Sequence, residues 1–282
     1  MSTNIKKYQV NDEMVWMGDL SKIDGKIQSK PIRFVIRPLN INDAEQMGEL
    51  SQNIYSHLRT GEECFIHKHS KEYYYDVFKN PNIHYIGVFV GKHLVGMSYL
   101  KICQTSEELQ EELPNSNYDF FKNDPENVKI ASFGADCVLP EFRGNSLNAT
   151  MIDYRFNLAS RLNCTDCTSI VDRNNRWNMT PYFANRFNLF STAIDPSDGG
   201  KISLLHKPMG RDSVLSNVKT RITLPYNRFE LIDNLISKGY IGVEFNKTDA
   251  NVTFAHSSFY QQNQAQAINL PDIMSLRSAF VR

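Results

Sequence analysis

The sequence predicts an α/β fold, with a mixed sheet, helices packed against it and a small C-terminal α/β subdomain. Three stretches carry that reading. Ile32–Pro38 is a strand closed by Pro, and Met47, Leu50, Ile54 and Leu58 then recur at helical spacing. Tyr85–Val90 and Leu94–Leu100 are two apolar runs about Gly91-Lys-His93, a β-hairpin. Lys129–Leu139 is a strand ended by Pro140, after which Leu147, Met151, Tyr154, Leu158 and Leu162 fall on one helical face, widened by Ile152 and Ala159.

In chain order, residues 1–30 show little periodicity and read as an N-terminal extension. Asn42 and Glu45 have the spacing of a capping box for the first helix. Gln104–Asn127 reads as a long connection, with seven acidic residues against one Lys. Thr165–Val171 is a strand, Pro181–Arg186 a short helix, and Leu189–Ile194 and Lys201–His206 are strands joined by the turn Asp195–Gly200. After Pro208-Met-Gly210 the pattern restarts, with strands at Val218–Leu224, Ile241–Phe245 and Val252–Ala255 and a helix at Arg228–Ser237 ended by Gly239. That last piece is near the lower size limit for an independent fold, so it is expected to pack on the domain before it. The division is therefore extension 1–30, main domain 31–209 and C-terminal subdomain 210–282.

Composition narrows the function. The 282 residues are 41% hydrophobic and 22% charged, with 31 basic against 31 acidic side chains, so no field of one sign favours nucleic acid as a partner. No apolar run reaches the roughly 20 residues of a membrane helix, and the polar start is no signal peptide; the expectation is a cytoplasmic protein. The five cysteines are an odd number and scattered, which suits reduced thiols. Cys164 and Cys167 have the spacing of half a zinc site, but the other ligand pair, His67 and His69, is too weak a signal to assign a metal.

The chemistry concentrates in Val138–Asn148, where a strand ends and a helix begins. A helix start offers unpaired N–H groups and a positive dipole end, a seat for phosphate. Arg143 adds charge and Gly144 lets backbone approach a ligand. An ordinary strand–turn–helix junction with a surface Arg is the plainer alternative.

Val138, Pro140, Phe142, Arg143, Gly144 and Leu147 match the pyrophosphate loop of the GNAT superfamily, the acyl-CoA-dependent N-acetyltransferases, V-x-P-x-[YF]-[RQ]-G-x-G-[IL]-G. Asn175, Tyr182 and Phe187 match a second pattern, N-x(6)-Y-x(4)-F. The element order from Ile32 to Met209 also resembles that family. The resemblance implies a GNAT-like acyltransferase fold, with acetyl-CoA or another acyl-CoA as co-substrate and an amine acceptor, small molecule or protein. The cofactor would lie where the motif strand splays from the next strand, on backbone groups of Cys137, Val138 and Leu139. The amides of Arg143, Gly144, Asn145, Ser146, Leu147 and Asn148 would hold the pyrophosphate. It further implies direct transfer without a covalent intermediate, so Cys137 is a strand residue. Tyr182 protonates the leaving thiolate, and Asp136 or water is the base.

Three positions depart from the family pattern: Ser146, Asn148 and Arg186 stand where Gly is usual. For Pro181 two placements are open, at the first helical position after Thr180 or inside a helix that starts near Asn175. The acidic connection would attract a cationic amine, with a solvated loop as the alternative. Tyr73-Tyr-Tyr75 follows Phe65–His69 in a region that lines acceptor pockets in the family, though some of these rings must be core. Beside the enzyme stand an inert CoA-binding fold, an acyltransferase with a longer acyl donor, and a C-terminal piece that is an eroded second acyltransferase domain. A homodimer is compatible with all of them. His256 and Arg277 are isolated polar residues without an assigned role.

Overall fold

The computed structural model describes residues 5–10, 13–59, 62, 68–114, 116, 118–122, 124, 126–196, 198–210 and 221–257. Among them the strands are β1 (Lys6–Val10), β2 (Glu13–Ile23), β3 (Lys26–Pro38), β4 (Ile83–Val90), β5 (His93–Cys103), β6 (Ile130–Val138), β7 (Asp166–Asp172), β8 (Asn188–Ile194), β9 (Lys201–Pro208), β10 (Arg221–Pro225), β11 (Tyr240–Asn246) and β12 (Asn251–His256). The helices are α1 (Ala44–Ser56), α2 (Lys71–Val77), α3 (Ser106–Glu112), α4 (Leu147–Arg161), α5 (Arg176–Ala184) and α6 (Phe229–Ser237). The strands form one sheet in the order β1-β2-β3-β4-β5-β6-β7-β9-β8-β11-β12-β10. Every neighbouring pair is antiparallel except β6 with β7. The fold is thus mixed α/β, as the sequence pattern predicts.

Alternation along the strands supplies two apolar faces. On one, α4, α5 and α6 cover Leu100, Ile102, Phe133, Leu205 and Phe254. On the other, α1 and α2 cover Tyr85, Phe89, Leu94 and Met97, and α3 with Tyr118 and Phe121 covers Ile130, Phe190 and Leu204.

Among the described residues of 1–30, β1, β2 and the start of β3 are strands of the sheet. Trp16 and Leu20 are wholly buried, and Trp16 meets Tyr154 of α4 edge-on at 5.1 Å while the Tyr154 hydroxyl donates to the Met14 carbonyl at 2.6 Å. The buried face of β2 runs Trp16, Gly18, Leu20. At Gly18 the Phe34 ring stands 2.6 Å from where a Cβ would lie, so the glycine breaks the apolar alternation that marks a strand.

Other local readings move as well. The capping box sits at Asn40 and Asp43, not Asn42 and Glu45: the Asn40 side chain accepts from Asn42 N–H and Asp43 accepts from Asn40 N–H. Arg37 of β3 grips the Asp43 carboxylate with two hydrogen bonds of 2.8 Å, which favours Asp43 over an exposed Glu45. The acidic connection contains α3, capped by Thr105 and held to β5 through Lys101 with Glu111 at 2.7 Å and Glu112 at 3.2 Å. Along α3 and its C-cap only Leu109 and Leu113 are buried, too few for a visible helical period.

Helix α5 starts after Asn175 and holds Pro181 in its interior, so the placement of Pro181 at a first helical position is overturned. It ends in a Schellman turn: Phe187 N–H donates to the Tyr182 carbonyl, Arg186 N–H to Phe183, and Arg186 takes φ +64°. Beyond β9, β11 pairs with β8 at Gly242 and Leu189, so the same sheet runs on into the C-terminal elements. A side chain at Gly242 would strike Val252 and Leu189 at 2.9 and 3.0 Å, which makes glycine the condition of that junction. The expected strand from Val218 is described from Arg221, and Cys64, Phe65–His67 and Arg277 lie outside the described residues.

A left-handed backbone costs a non-glycine residue about 1–2 kcal/mol, partly offset by glycine's greater unfolded entropy. Arg186→Gly is therefore expected to raise stability by up to about 1 kcal/mol, read as a higher urea midpoint at unchanged slope.

Candidate active site

Strands β6 and β7 pair from Ile130 and Asp166 to Phe133 and Ser169, then part. Beyond that point β6 is held only by β5, through Tyr99 with Gly134, Met97 with Cys137 and Gly96 with Val138. The β5–β6 register shifts between Met97 and Tyr99, and Ala135 takes φ +51°, a bulge that turns β6 away. Strand β7 stays with β9 as far as Asp172 opposite Ile202. Residues 134–138 and 170–172 therefore face each other as two edges with no strand between them. Buried backbone groups need partners, and such edges accept an extended ligand as an added strand. Gly134 is required here, because the Tyr99 ring and hydroxyl lie 2.5–2.6 Å from where its Cβ would be.

A buried polar network fills the root of the opening. Arg155 of α4 and Asp136 of β6 form an ion pair with side chains 0% and 2% exposed. Arg155 also donates to the carbonyls of Tyr99 at 3.0 Å and Gly134 at 3.3 Å, and its guanidinium lies 4.6 Å from the Phe133 ring centre. The Tyr182 hydroxyl donates to the other Asp136 oxygen at 2.5 Å, and Ser169 and Asn178 complete the set. Burial holds the Asp136 carboxyl above its ordinary value, and Arg155, Tyr182 and Asn178 offset only part of that rise. Asp136 serves the Arg155 guanidinium as counterion. Burial first, and then the Asp136 charge, push the Tyr182 hydroxyl well above its ordinary value.

The loop after β6 runs through a turn at Pro140–Phe142 into α4. Gly144 has φ +81° with open space around it, and Ser146 has φ +58°. Both are exposed, and no side chain caps the 15-residue helix α4; a helix start without such a cap is suited to an anion. Arg143 is exposed beside them, its Nε donating to the Val138 carbonyl at 3.0 Å.

Asn145 does something the sequence did not suggest. Its side-chain oxygen accepts from Ser21 and Lys22 N–H at 3.1 and 3.0 Å, and its amide donates to the Lys22 and Phe142 carbonyls at 2.8 and 2.9 Å. With Asp24 N–H on the Glu141 carbonyl at 2.6 Å, this fastens the β2–β3 hairpin to the loop. Asn148 turns toward α5, donating to Asn178 at 2.5 Å, while its own buried carbonyl oxygen has no hydrogen-bond partner.

A cavity of about 550 Å³ opens beside the parting strands, lined by Tyr73, Tyr85, Tyr99, Asp136, Asn175 and Asn178 among others. Of the residues expected to act, Asp136 and Asn175 line it. Tyr182 is 0% exposed and is not part of the lining. Cys137 is buried with its thiol pushed up to about 12 by burial, and Leu147 and Val138 pack into the core. The Leu139 N–H is already used by the Val95 carbonyl at 2.9 Å. Of the three tyrosines, Tyr74 is core while Tyr73 and Tyr75 are exposed. The residues that sequence reasoning missed are Arg155 and Tyr99, and of Asn145 it named the backbone amide but not the side chain. Arg155 left a trace, a charge four residues after Met151 and four before Ala159 on the apolar stripe; Tyr99 and Asn145 depend on register and tertiary contact. Among the described residues no group of three or more His, Cys, Asp or Glu side chains converges to hold a metal ion, and no helix is long and apolar enough to cross a membrane.

No family model and no curated protein matches the chain. Among solved structures it is similar to an N-acetyltransferase from Staphylococcus aureus Mu50 (TM-score 0.46, 13% identity, 62% of this chain and 97% of that one). It is also similar to Arabidopsis thaliana NAA60 in complex with acetyl-CoA (TM-score 0.47, 16% identity, 63% and 99%). A third is the PaiA N-acetyltransferase from Thermoplasma acidophilum with coenzyme A (TM-score 0.42, 20% identity, 62% and 98%).

Asn145→Ala removes four hydrogen bonds, two of them from the Ser21 and Lys22 amides, for an expected loss of about 1–3 kcal/mol in denaturant unfolding. Faster hydrogen exchange at both Ser21–Asp24 and Glu141–Ser146 is the signature that separates this coupling from a local defect.

Proposed function

We propose that this chain is an acyl-CoA-dependent N-acyltransferase, most simply an acetyltransferase, that moves its acyl group directly onto an amine. The observation that carries the reading is the alignment of the β6–β7 opening with the uncapped start of α4. An extended slot edged by free backbone groups leads to an anion seat beside Gly144 and Arg143. A ligand with an amide-bearing arm ending in a pyrophosphate has that shape and charge.

In the reaction, the free-base nitrogen attacks the thioester carbonyl. The C–N bond forms, the C–S bond breaks with its electron pair on sulfur, the nitrogen loses a proton and the thiolate gains one. Positioning and backbone donors supply most of the rate. Tyr182 is our proton donor, since burial and Asp136 keep it protonated at neutral pH. A second reading gives that role to Tyr99, favoured by its place in the cavity wall. Asp136, with both oxygens engaged, favours water as the base. The Asn148–Asn178 hydrogen bond, which ties the start of α4 to α5, favours the other class of function, an inert CoA-binding fold. A cytoplasmic location, an amine acceptor rather than nucleic acid or membrane, and a homodimer belong to the same proposal, which assigns no metal.

Calorimetry against acetyl-CoA tests it. We expect binding, weakened at least tenfold by Arg143→Glu, and amine-dependent thiol release that Tyr182→Phe lowers more than Tyr99→Phe. The reverse order transfers the proton-donor role to Tyr99. Binding without any thiol release supports the inert fold, and absence of binding by folded protein overturns both.

A further inference from the structure

We propose that the 3′-phosphoadenosine end of coenzyme A stacks on Trp177 and is held by Arg176 and Lys247, so that the C-terminal elements supply part of the cofactor site. The inference rests on the acyl-transfer reading and adds the nucleotide end of that site. The two tryptophans of the chain have opposite surroundings. Trp16 is 1% exposed, whereas Trp177, in the first turn of α5, is 59% exposed. An indole is on average highly buried, because its large apolar surface gains most from leaving water. Two cations attend the exposed ring: the Arg176 guanidinium lies 4.8 Å from its centre and the Lys247 ammonium 5.1 Å. Both side chains are exposed, and neither forms an ion pair with a described residue.

Lys247 reaches α5 because of how the C-terminal elements pack. Phe183 of α5 meets Phe245 of β11 at 5.9 Å, which brings the β11–β12 turn alongside the helix. That turn is fixed by Asn246, whose side-chain oxygen accepts the Thr248 and Asp249 N–H groups at 2.9 and 3.3 Å. The Asn246 amide donates to the Asp249 carboxylate at 2.8 Å, so the acid of the turn is engaged by Asn246 rather than by Lys247. On its other side α5 is tied to α4, where Asn148 donates to Asn178 at 2.5 Å. Trp177 therefore stands one residue from the contact that joins the two helix starts, beside the α4 terminus that follows Arg143 and Gly144. Beyond its pyrophosphate, coenzyme A carries a flat purine base and a ribose 3′-phosphate. Bases stack on aromatic faces, and phosphate pairs with Lys and Arg. A purely apolar partner would desolvate both cations without a counter-charge, whereas a phosphorylated base meets the ring and the cations together.

Calorimetry and tryptophan fluorescence of the full chain with coenzyme A, 3′-dephospho-coenzyme A and adenosine 3′,5′-bisphosphate test the proposal. We expect coenzyme A to bind at least tenfold more tightly than its 3′-dephospho form, and Lys247→Glu to abolish that preference while leaving the affinity for the 3′-dephospho form unchanged. Coenzyme A and the bisphosphate both quench the exposed indole, and Trp177→Leu removes the quench while Trp16 continues to emit. Both substituted side chains are exposed, so the variants retain the fold, checked by their thermal midpoints. Equal affinity for coenzyme A and its 3′-dephospho form overturns the subsite and leaves acyl transfer standing. A preference that survives Lys247→Glu, or an unquenched Trp177 at saturating coenzyme A, does the same. Absence of coenzyme A binding, whatever the bisphosphate does, overturns the transfer reading and this assignment with it.

Discussion

Everything at this site depends on two adjacent strands that stop pairing in the middle of a sheet. Past Phe133 and Ser169, β6 and β7 go separate ways, and each can do so because its other edge is held, by β5 and by β9. A parting inside a sheet exposes backbone donors and acceptors where burial is greatest, which is costly unless something pairs with them. The chain answers in part with Arg155, whose guanidinium takes the Tyr99 and Gly134 carbonyls and pairs with Asp136. That charge in turn dictates the carboxylate, and the carboxylate takes the Tyr182 hydroxyl. Four elements thereby share one buried polar network, and past Phe133 and Ser169 no ladder joins β6 to β7.

The helices that follow the two strands inherit their divergence. Helix α4 begins beyond the end of β6 and α5 beyond the end of β7, so both N-termini stand at the open side. The α4 terminus carries no side-chain cap, in contrast to α3, closed by Thr105, and to the single turn ahead of α1, closed by Asn40 with Asp43. An exposed loop with left-handed residues at Gly144 and Ser146 would be poorly fixed by itself. Asn145 supplies the fixing by fastening it to a hairpin more than a hundred residues earlier in the chain.

Much of this was legible in the sequence. The strand–helix alternation, the β4–β5 hairpin and the strand–loop–helix junction at Val138–Asn148 follow from period, Pro placement and Gly. The position of Tyr182 near the motif strand is what the family resemblance implied. What was illegible has physical causes. Gly18 hides the β2 alternation because the Phe34 ring takes the space of its side chain. Helix α3 is held by a cap and by Lys101 rather than by an apolar stripe. Pro181 sits inside a nine-residue helix, at a cost that local propensity cannot foresee but the surrounding core accepts. The partners of Asp136 come from α4 and α5, and no spacing in the sequence brings Arg155 and Tyr182 to the same carboxylate.

The central claim is that the free edge of β6 and the start of α4 form one continuous ligand site. Amide hydrogen exchange with and without coenzyme A reads both halves at once. The account predicts slower exchange in 134–138 and in 144–149 together, with the β1–β3 strands unchanged. Protection confined to one of the two segments, or to neither, would contradict it.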